Sequence, residues 1–325
     1  MRGFQDRLAQ GRFMVLGRVG MDLYADPPGT PVESATRFQA EIGGSAGNIA
    51  VALARLGMQA GLLSCVSDDA VGRFCLQQLA GYGVDTGHVR AAGDGRRTSL
   101  AVTETRASDC QVVLYRNGAA DFALAVQDVD LDHAGLAALV VTGTALAMEP
   151  SRAATLLAMD RARAAGVVVV IDIDYRAYSW TSGAEAAAIC RDAATRADII
   201  VGNDDEWALM ADGPGESLAR DMAQGRLAVY KRGALGCVSY QDGARVDTGI
   251  YPVTALKPMG AGDAFLGGLL ASLAQGHRLD AALRRGAAAA AIVVSGIGCA
   301  PASPRLAELD AFIATRQERH AHPAL

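Results

Sequence analysis

Short runs of β-branched and apolar residues, each followed closely by a helical pattern, recur along most of this chain and constrain its fold more than anything else. Val167-Val-Val-Val-Ile-Asp172 is the clearest. Such a run has no polar face, so the strand must be covered on both sides, as in a parallel sheet between two helical layers. Residues 13–20, 60–66, 137–142, 199–201 and 227–230 repeat the pattern. Helical periodicity fills the intervals at 49–56 (stopped by Gly57), 69–82, 152–165, 185–196 and 216–224. The expectation is one α/β domain with a mainly parallel central sheet.

Two segments break the rhythm. Residues 22–42 and 96–122 lack helical periodicity and hold strand-like pieces, Thr98-Ser-Leu-Ala-Val-Thr-Glu-Thr105 and Gln111-Val-Val-Leu-Tyr-Arg116. They are expected to pair into a small separate sheet that lies as a lid beside the carboxyl ends of the main strands. Residues 315–325 read as a flexible tail, and His320 and His322 within it as disordered rather than metal-binding.

Composition removes several functions. The 30 basic and 35 acidic residues give a net charge of −5, which draws the chain to neither nucleic acid nor an anionic membrane. The most apolar stretch, residues 286–297, is too short to span a bilayer. Six scattered cysteines form no CxxC pair and no Cys/His cluster, which reads as a reduced, cytoplasmic protein. The first residues, Met1-Arg-Gly-Phe-Gln-Asp-Arg-Leu8, carry no apolar run of signal-peptide length.

The chemistry concentrates at Lys257-Pro-Met-Gly-Ala-Gly-Asp-Ala-Phe265, which runs into the helical pattern Leu266-Gly-Gly-Leu-Leu-Ala-Ser-Leu273. Small residues where a loop becomes a helix leave the first N–H groups open, at the positive end of the helix dipole, so an anion can approach. Asp263 is then out of place, since its charge repels that anion. It fits if it takes a proton from a hydroxyl attacking a transferring phosphoryl group; the plainer role is that of a helix cap. No G-x-G-x-x-G follows the first strand with an acidic residue about twenty positions on, and no G-x-x-x-x-G-K-[ST] occurs, which removes the dinucleotide fold and the P-loop.

Together with Gly43-Gly-Ser-Ala-Gly-Asn-Ile-Ala-Val-Ala-Leu-Ala-Arg-Leu-Gly57 and the lid-like insertions, this block resembles the ribokinase-like (PfkB) carbohydrate kinases, over nearly the whole chain. The resemblance implies a three-layer αβα core with a small β-sheet lid, and an ATP- and Mg²⁺-dependent transfer to a sugar hydroxyl. Gly17-Arg-Val-Gly-Met-Asp-Leu-Tyr24, Tyr115-Arg-Asn-Gly-Ala-Ala-Asp121 and Leu256–Asp263 look like the branch that phosphorylates 5-dehydro-2-deoxygluconate in inositol catabolism. Kinases of 2-keto-3-deoxygluconate, fructose or ribose remain open, as does a non-catalytic sugar-binding regulator on the same fold. Most relatives carry Asp-Thr ahead of the Gly-Ala-Gly-Asp block. This chain has Lys257-Pro258, as that branch does, which leaves open the monovalent-cation site many relatives build there. Dimerisation through the lid sheets is a further implication.

The resemblance also implies roles. Asp263 is the base, and the N–H groups at Gly260, Ala261, Gly262 and Asp263 stabilise charge on the transferred group. Asp22, Gly43, Gly44 and Asn48 bind sugar hydroxyls. Tyr115-Arg116 and Arg176 are expected against a sugar carboxylate, for which a fixed guanidinium is suited, with Arg18 and Lys257 as weaker candidates. Asn203 and Glu206, in Asn203-Asp-Asp-Glu206, organise Mg²⁺ through its waters. Lys231, Gly233 and Gly236 shape the nucleotide loop, and residues 288–298 contribute to the adenine pocket.

Overall fold

A computed structural model of the chain describes residues 4–9 and 11–319. The suggested roles of His320 and His322, and most of the expected tail, lie outside the described residues. Among the described residues, thirteen strands form two sheets. In chain order they are β1 (Arg12–Leu16), β2 (Gly20–Asp26), β3 (Arg37–Gly43), β4 (Ala60–Val66), β5 (Asp85–Ala91), β6 (Ser99–Thr103) and β7 (Val112–Tyr115). Then follow β8 (Leu136–Thr142), β9 (Val168–Asp172), β10 (Ile199–Asn203), β11 (Leu227–Lys231), β12 (Cys237–Gln241) and β13 (Ala244–Thr248).

The large sheet has nine strands in the order β13-β12-β11-β10-β9-β8-β1-β4-β5. Pairing is parallel from β11 through β5, and β12 and β13 add an antiparallel edge. The long apolar runs are explained by alternation across this sheet. Val168 and Val170 enter one core while Val169 and Ile171 enter the other, so neither face of β9 meets water.

Helices α1 (Gln5–Leu8), α2 (Ser45–Arg55), α3 (Ala70–Gly81), α4 (Ser151–Ala164) and α5 (Gly183–Thr195) come first. They are followed by α6 (Asp204–Met210), α7 (Gly215–Met222), α8 (Ala261–Ala274), α9 (Leu279–Val294) and α10 (Leu306–Thr315). α2, α8 and α9 supply buried residues to the first core, and α4 and α5 to the second. Strand order reverses around β1, which lies between β8 and β4; the crevice at such a reversal, beyond the carboxyl ends of the strands, is where open α/β sheets bind ligands.

The second sheet, β3-β2-β6-β7, is the lid. β2 pairs antiparallel with β3 and parallel with β6, and β7 closes the edge antiparallel to β6. Residues 13–20, read as one strand, are divided: β1 stays in the body, and the chain turns through 17–19 to begin β2 in the lid. At Gly17, φ +151°, a side chain would collide with the Thr142 hydroxyl of β8, so glycine is needed where the chain leaves β1 for the lid. Strand β5 was missed because its DTGHVRA segment is polar and mostly partly exposed, as an edge strand can be. The chain after α10 does not leave the body at once: Ile250 and Arg319 form an antiparallel bridge.

Candidate active site

Helix α8 begins beneath the lid. Gly260 is its N-cap, in the left-handed region at φ +80°, and a Cβ there would fall 2.7 Å from the Cys299 sulfur. Only glycine meets both conditions. The first bond of the helix runs from Ala264 N to Gly260 O at 3.0 Å, so the N–H groups of Ala261, Gly262 and Asp263 precede the ladder and are open to an anion. The Lys231 ammonium, at the end of β11, stands 3.2 Å from where a Cβ of Gly262 would be, which puts a cation directly at this terminus.

Asp263, in the first turn of α8, is partly buried, and Asn48 Nδ2 donates to its Oδ2 at 2.8 Å. Burial, with the negative charge of Asp174 next in weight, pushes the Asp263 carboxyl up to about 7; the Asn48 bond works against this rise. Such a carboxyl is poised as a base near neutral pH. Asn48 lies inside the first turn of α2, not ahead of it; Gly44, at φ +90°, is the N-cap. Asn48 Oδ1 is buried without a hydrogen-bond partner, an acceptor left open beside the Asp263 carboxyl.

Two acids that sequence reasoning passed over complete the floor. Asp172 ends β9 and accepts from Lys231 Nζ at 3.2 Å; Asp174, at φ +37°, ion-pairs with Arg176 at 2.7 Å and accepts from the Thr144 hydroxyl at 3.3 Å. Burial, helped by Asp174, raises Asp172 above the carboxylate range. Burial opposes the charge on Lys231, but Asp172 and Glu206 outweigh it and raise its pKa. The available signal was their position at the carboxyl end of a strand beside the switch point.

On the lid side, Asp22 of β2 is buried and accepts from the Tyr24 hydroxyl at 3.4 Å. Burial raises its pKa against the pull of Arg18. Its carboxylate packs over Gly43 of β3: a Cβ there would sit 2.1 Å from Oδ1. Arg18, in the turn between β1 and β2, donates to Ser99 Oγ at 3.1 Å and has no ion-pair partner among the described residues.

A cleft of about 710 Å³ opens between the lid strand β7 and the body, lined among others by Leu114, Arg116, Phe122, Arg176, Tyr178 and Met259. The Arg116 guanidinium is buried: it ion-pairs with Asp121, donates to the Thr144 carbonyl at 3.0 Å and lies 4.1 Å over the Phe122 ring. It faces the cleft with much of its charge already matched. Arg176 is the more exposed of the two. Tyr115 departs from the expected substrate contact: alternation along β7 puts Leu114 on the cleft side and leaves Tyr115 59% exposed, outside the cleft lining.

Asn203 and Glu206 form a capping box at the start of α6, with Asn203 Oδ1 accepting from Glu206 N (2.9 Å) and Glu206 Oε2 from Asn203 N (2.7 Å). Glu206 Oε1 accepts from Tyr175 N at 3.1 Å, and burial pushes this carboxyl up to about 7. Lys231 leads into a turn in which Gly233 and Gly236 both have positive φ, before the hairpin of β12 and β13. A second cleft of about 670 Å³ is lined by Val253, Ile292, Ser295, Phe312 and Arg316 among others. Two of these, Ile292 and Ser295, belong to the 288–298 stretch expected to contact adenine.

Asp172, Asp174, Glu206 and Asp263 outnumber the two cations among them, Lys231 and Arg176, and burial penalises the surplus charge. That donor set suits a hydrated divalent cation. No group of three or more His, Cys, Asp or Glu among the described residues is placed to hold a metal ion by itself.

Residues 10–306 match the family described as pfkB family carbohydrate kinase. The chain is 40% identical over 317 residues to the 5-dehydro-2-deoxygluconokinase of Photobacterium profundum, covering 94% of this chain and 95% of that protein. The fold is similar to a crystal structure of a PfkB protein from Polaromonas, with a TM-score of 0.80 at 29% identity over 93% of this chain and 99% of that one. A fructokinase double mutant from Vibrio cholerae, in a form with fructose, ADP and potassium ion bound, superposes with a TM-score of 0.83 at 26% identity, over 94% and 99% of the two chains.

Proposed function

Because the chain belongs to the pfkB family of carbohydrate kinases, and is therefore a sugar kinase, we propose that it transfers the γ-phosphoryl group of ATP to the primary hydroxyl of 5-dehydro-2-deoxy-D-gluconate, a step of inositol catabolism. One observation carries the chemistry: a carboxyl held near pKa 7 by burial lies in the first turn of a helix whose leading N–H groups are open, with a lysine ammonium alongside. Base, anion hole and cation converge on one point.

Asp22 and the open Oδ1 of Asn48 take sugar hydroxyls and hold the primary hydroxyl towards Asp263. Asp263 removes its proton as the oxygen attacks the γ-phosphorus, and the bond from that phosphorus to the ADP oxygen breaks. ADP and the phosphorylated sugar acid leave, and the proton passes from Asp263 to solvent. The N–H groups of Ala261, Gly262 and Asp263, with Lys231, meet the charge on the phosphoryl oxygens. Asn203 and Glu206 would hold Mg²⁺ through its waters; when bound it neutralises phosphate charge. Glu206, with both oxygens taken by N–H groups, is suited to water-mediated contact. The cleft at Ile292 and Phe312 has the apolar walls an adenine ring needs.

An acid substrate is supported by the two guanidiniums lining the lid cleft, Arg116 and Arg176. The Arg116–Asp121 pair favours a second reading, a neutral keto sugar such as fructose, since that guanidinium is already matched. ADP release with 5-dehydro-2-deoxygluconate, 2-keto-3-deoxygluconate, fructose and ribose decides. A kcat/KM for the first at least about tenfold above the rest supports the reading, and Arg176→Ala should then lose selectively for acids. A preference for fructose overturns it.

Two copies pair through the lid in this reading, supported by Phe38, Val113 and Tyr115, all apolar or aromatic and exposed on the face of that sheet turned away from the cleft. Sedimentation as a monomer at micromolar concentration would remove it. A cytoplasmic location is supported by six cysteines that are all unpaired.

A further inference from the structure

Lys257 has none of its surface exposed, yet no carboxylate lies within ion-pair distance of it among the described residues. Its ammonium donates to the main-chain carbonyls of Met259 at 2.9 Å and Val293 at 3.2 Å, and the Cys299 sulfur lies 3.9 Å away. A buried lysine ordinarily finds an acid, because an unmatched charge in a dry interior is costly. This one is held by carbonyl oxygens, the way a protein holds a bare alkali cation. Val293 belongs to the last turn of α9, at the negative end of its dipole, which suits a positive charge.

The two carbonyls belong to different pieces of the site. Met259 immediately precedes Gly260, the cap of α8, so its position sets where the N–H groups of the anion hole point. Val293 fixes the other end. The main chain makes the same connection, with Leu256 N bonded to Val294 O at 2.7 Å. From Cys299 the contact continues to the Tyr24 hydroxyl at 3.4 Å, and from there to Asp22. One ammonium therefore stands between the loop of the anion hole, the end of α9 and the sugar-binding strand of the lid.

We propose that the Lys257 ammonium is a built-in monovalent cation. It takes the place of a dissociable potassium ion and positions the anion hole, so that phosphoryl transfer requires no alkali metal. Lys257 touches neither substrate nor reacting atoms in this account and is a positioning residue. An ion at these carbonyls would have to stand against the ammonium that already donates to both, at 2.9 and 3.2 Å. The inference rests on the kinase reading for its consequence, not for its geometry.

The test begins with the wild-type enzyme in buffers whose only monovalent salt is potassium chloride or choline chloride, at equal ionic strength. A change in kcat of less than about twofold is expected. A tenfold or greater loss in choline overturns the inference while leaving the kinase reading intact.

Lys257→Met, similar in length and uncharged, removes the charge. Its kcat should fall about 100-fold, the size expected when a catalytic group is displaced by an ångström. An unchanged kcat with the same melting temperature would show the lysine to be only packing, and overturns the inference. In Lys257→Ala the vacated space admits an ion, so potassium chloride should restore at least about tenfold of the lost kcat relative to choline chloride, and should raise the melting temperature of this variant but not that of the wild type. The melting comparison needs no turnover, so it reads the cation site even if every sugar fails as a substrate. Equal melting of Lys257→Ala in the two salts would overturn the inference. Should the alanine variant not fold, the wild-type salt comparison decides.

Discussion

Asn48 holds one oxygen of Asp263 at 2.8 Å through its amide nitrogen and leaves its own buried oxygen without a donor. One side chain thus orients the proposed base with one end and presents an acceptor with the other. Asn48→Ala should lower kcat about tenfold and raise KM for the sugar, with KM for ATP little changed. The bond favours the charged carboxylate, so its loss should also move the acidic limb of the pH–rate profile to higher pH. A limb that stays in place or moves down would refute the role.

In the proposed mechanism Asp263 acts only when ionised, and burial places its carboxyl at about 7. The kcat/KM of the free enzyme should therefore fall as pH drops below that value, with a single-proton slope. Asp263→Asn should cost about 10²–10⁴ in kcat while leaving sugar affinity measurable by calorimetry.

The same elevation carries a stability consequence. Between the unfolded carboxylate value of about 4 and about 7, the folded state holds protons on Asp263 and Glu206 that the unfolded state has released. Stability contributed by these groups is present at low pH and lost as pH rises through that window. Asp263→Asn, which cannot ionise, should gain in melting temperature over the wild type, and gain more at pH 8 than at pH 5.5. Scanning fluorimetry of both proteins without ligands measures the difference; equal gains at the two pH values would count against a buried, elevated carboxyl.

Gly43 lets the Asp22 carboxylate lie flat on the β2–β3 pair, 2.1 Å from where a Cβ would be. Gly43→Ala must move Asp22, so KM for the sugar should rise about tenfold or more while ATP binding is preserved. Fluorescence titration with a nucleotide analogue separates the two effects.

Ile292 lines the second cleft. Ile292→Trp should fill it and raise KM for ATP about tenfold with little change for the sugar. A rise confined to the sugar would assign this cleft otherwise.

Much of this was legible in the sequence because it rests on local patterns. A run such as Val167–Asp172, bounded by helical patterns, reads as a doubly covered strand, and Gly260-Ala-Gly-Asp263 reads as a carboxylate at the start of a helix. Less legible was what depends on partners distant in the chain. Arg116 reads as an available guanidinium until Asp121 and the Thr144 carbonyl are seen to hold it. Lys257 reads as one of several weak candidates for a substrate charge, and only Val293 on another helix shows that it points into the protein. Asp172 and Asp174 gave no sign beyond their place at a strand end, and Tyr115 was turned to the wrong side because two-residue alternation does not say which face is which.

The short turn through residues 17–19, which carries the chain from β1 into β2, and the direct passage from β3 through Gly44 into α2 tie the β2–β3 half of the lid closely to the body. Asp22 belongs to the lid sheet, whereas Asn48 and Asp263 belong to helices of the body. A sugar that satisfies all three is the pin that fastens cover to base. Recognition and enclosure then become one event, and a ligand that misses Asp22 leaves the latch undone: it can occupy the floor without committing the nucleotide to reaction.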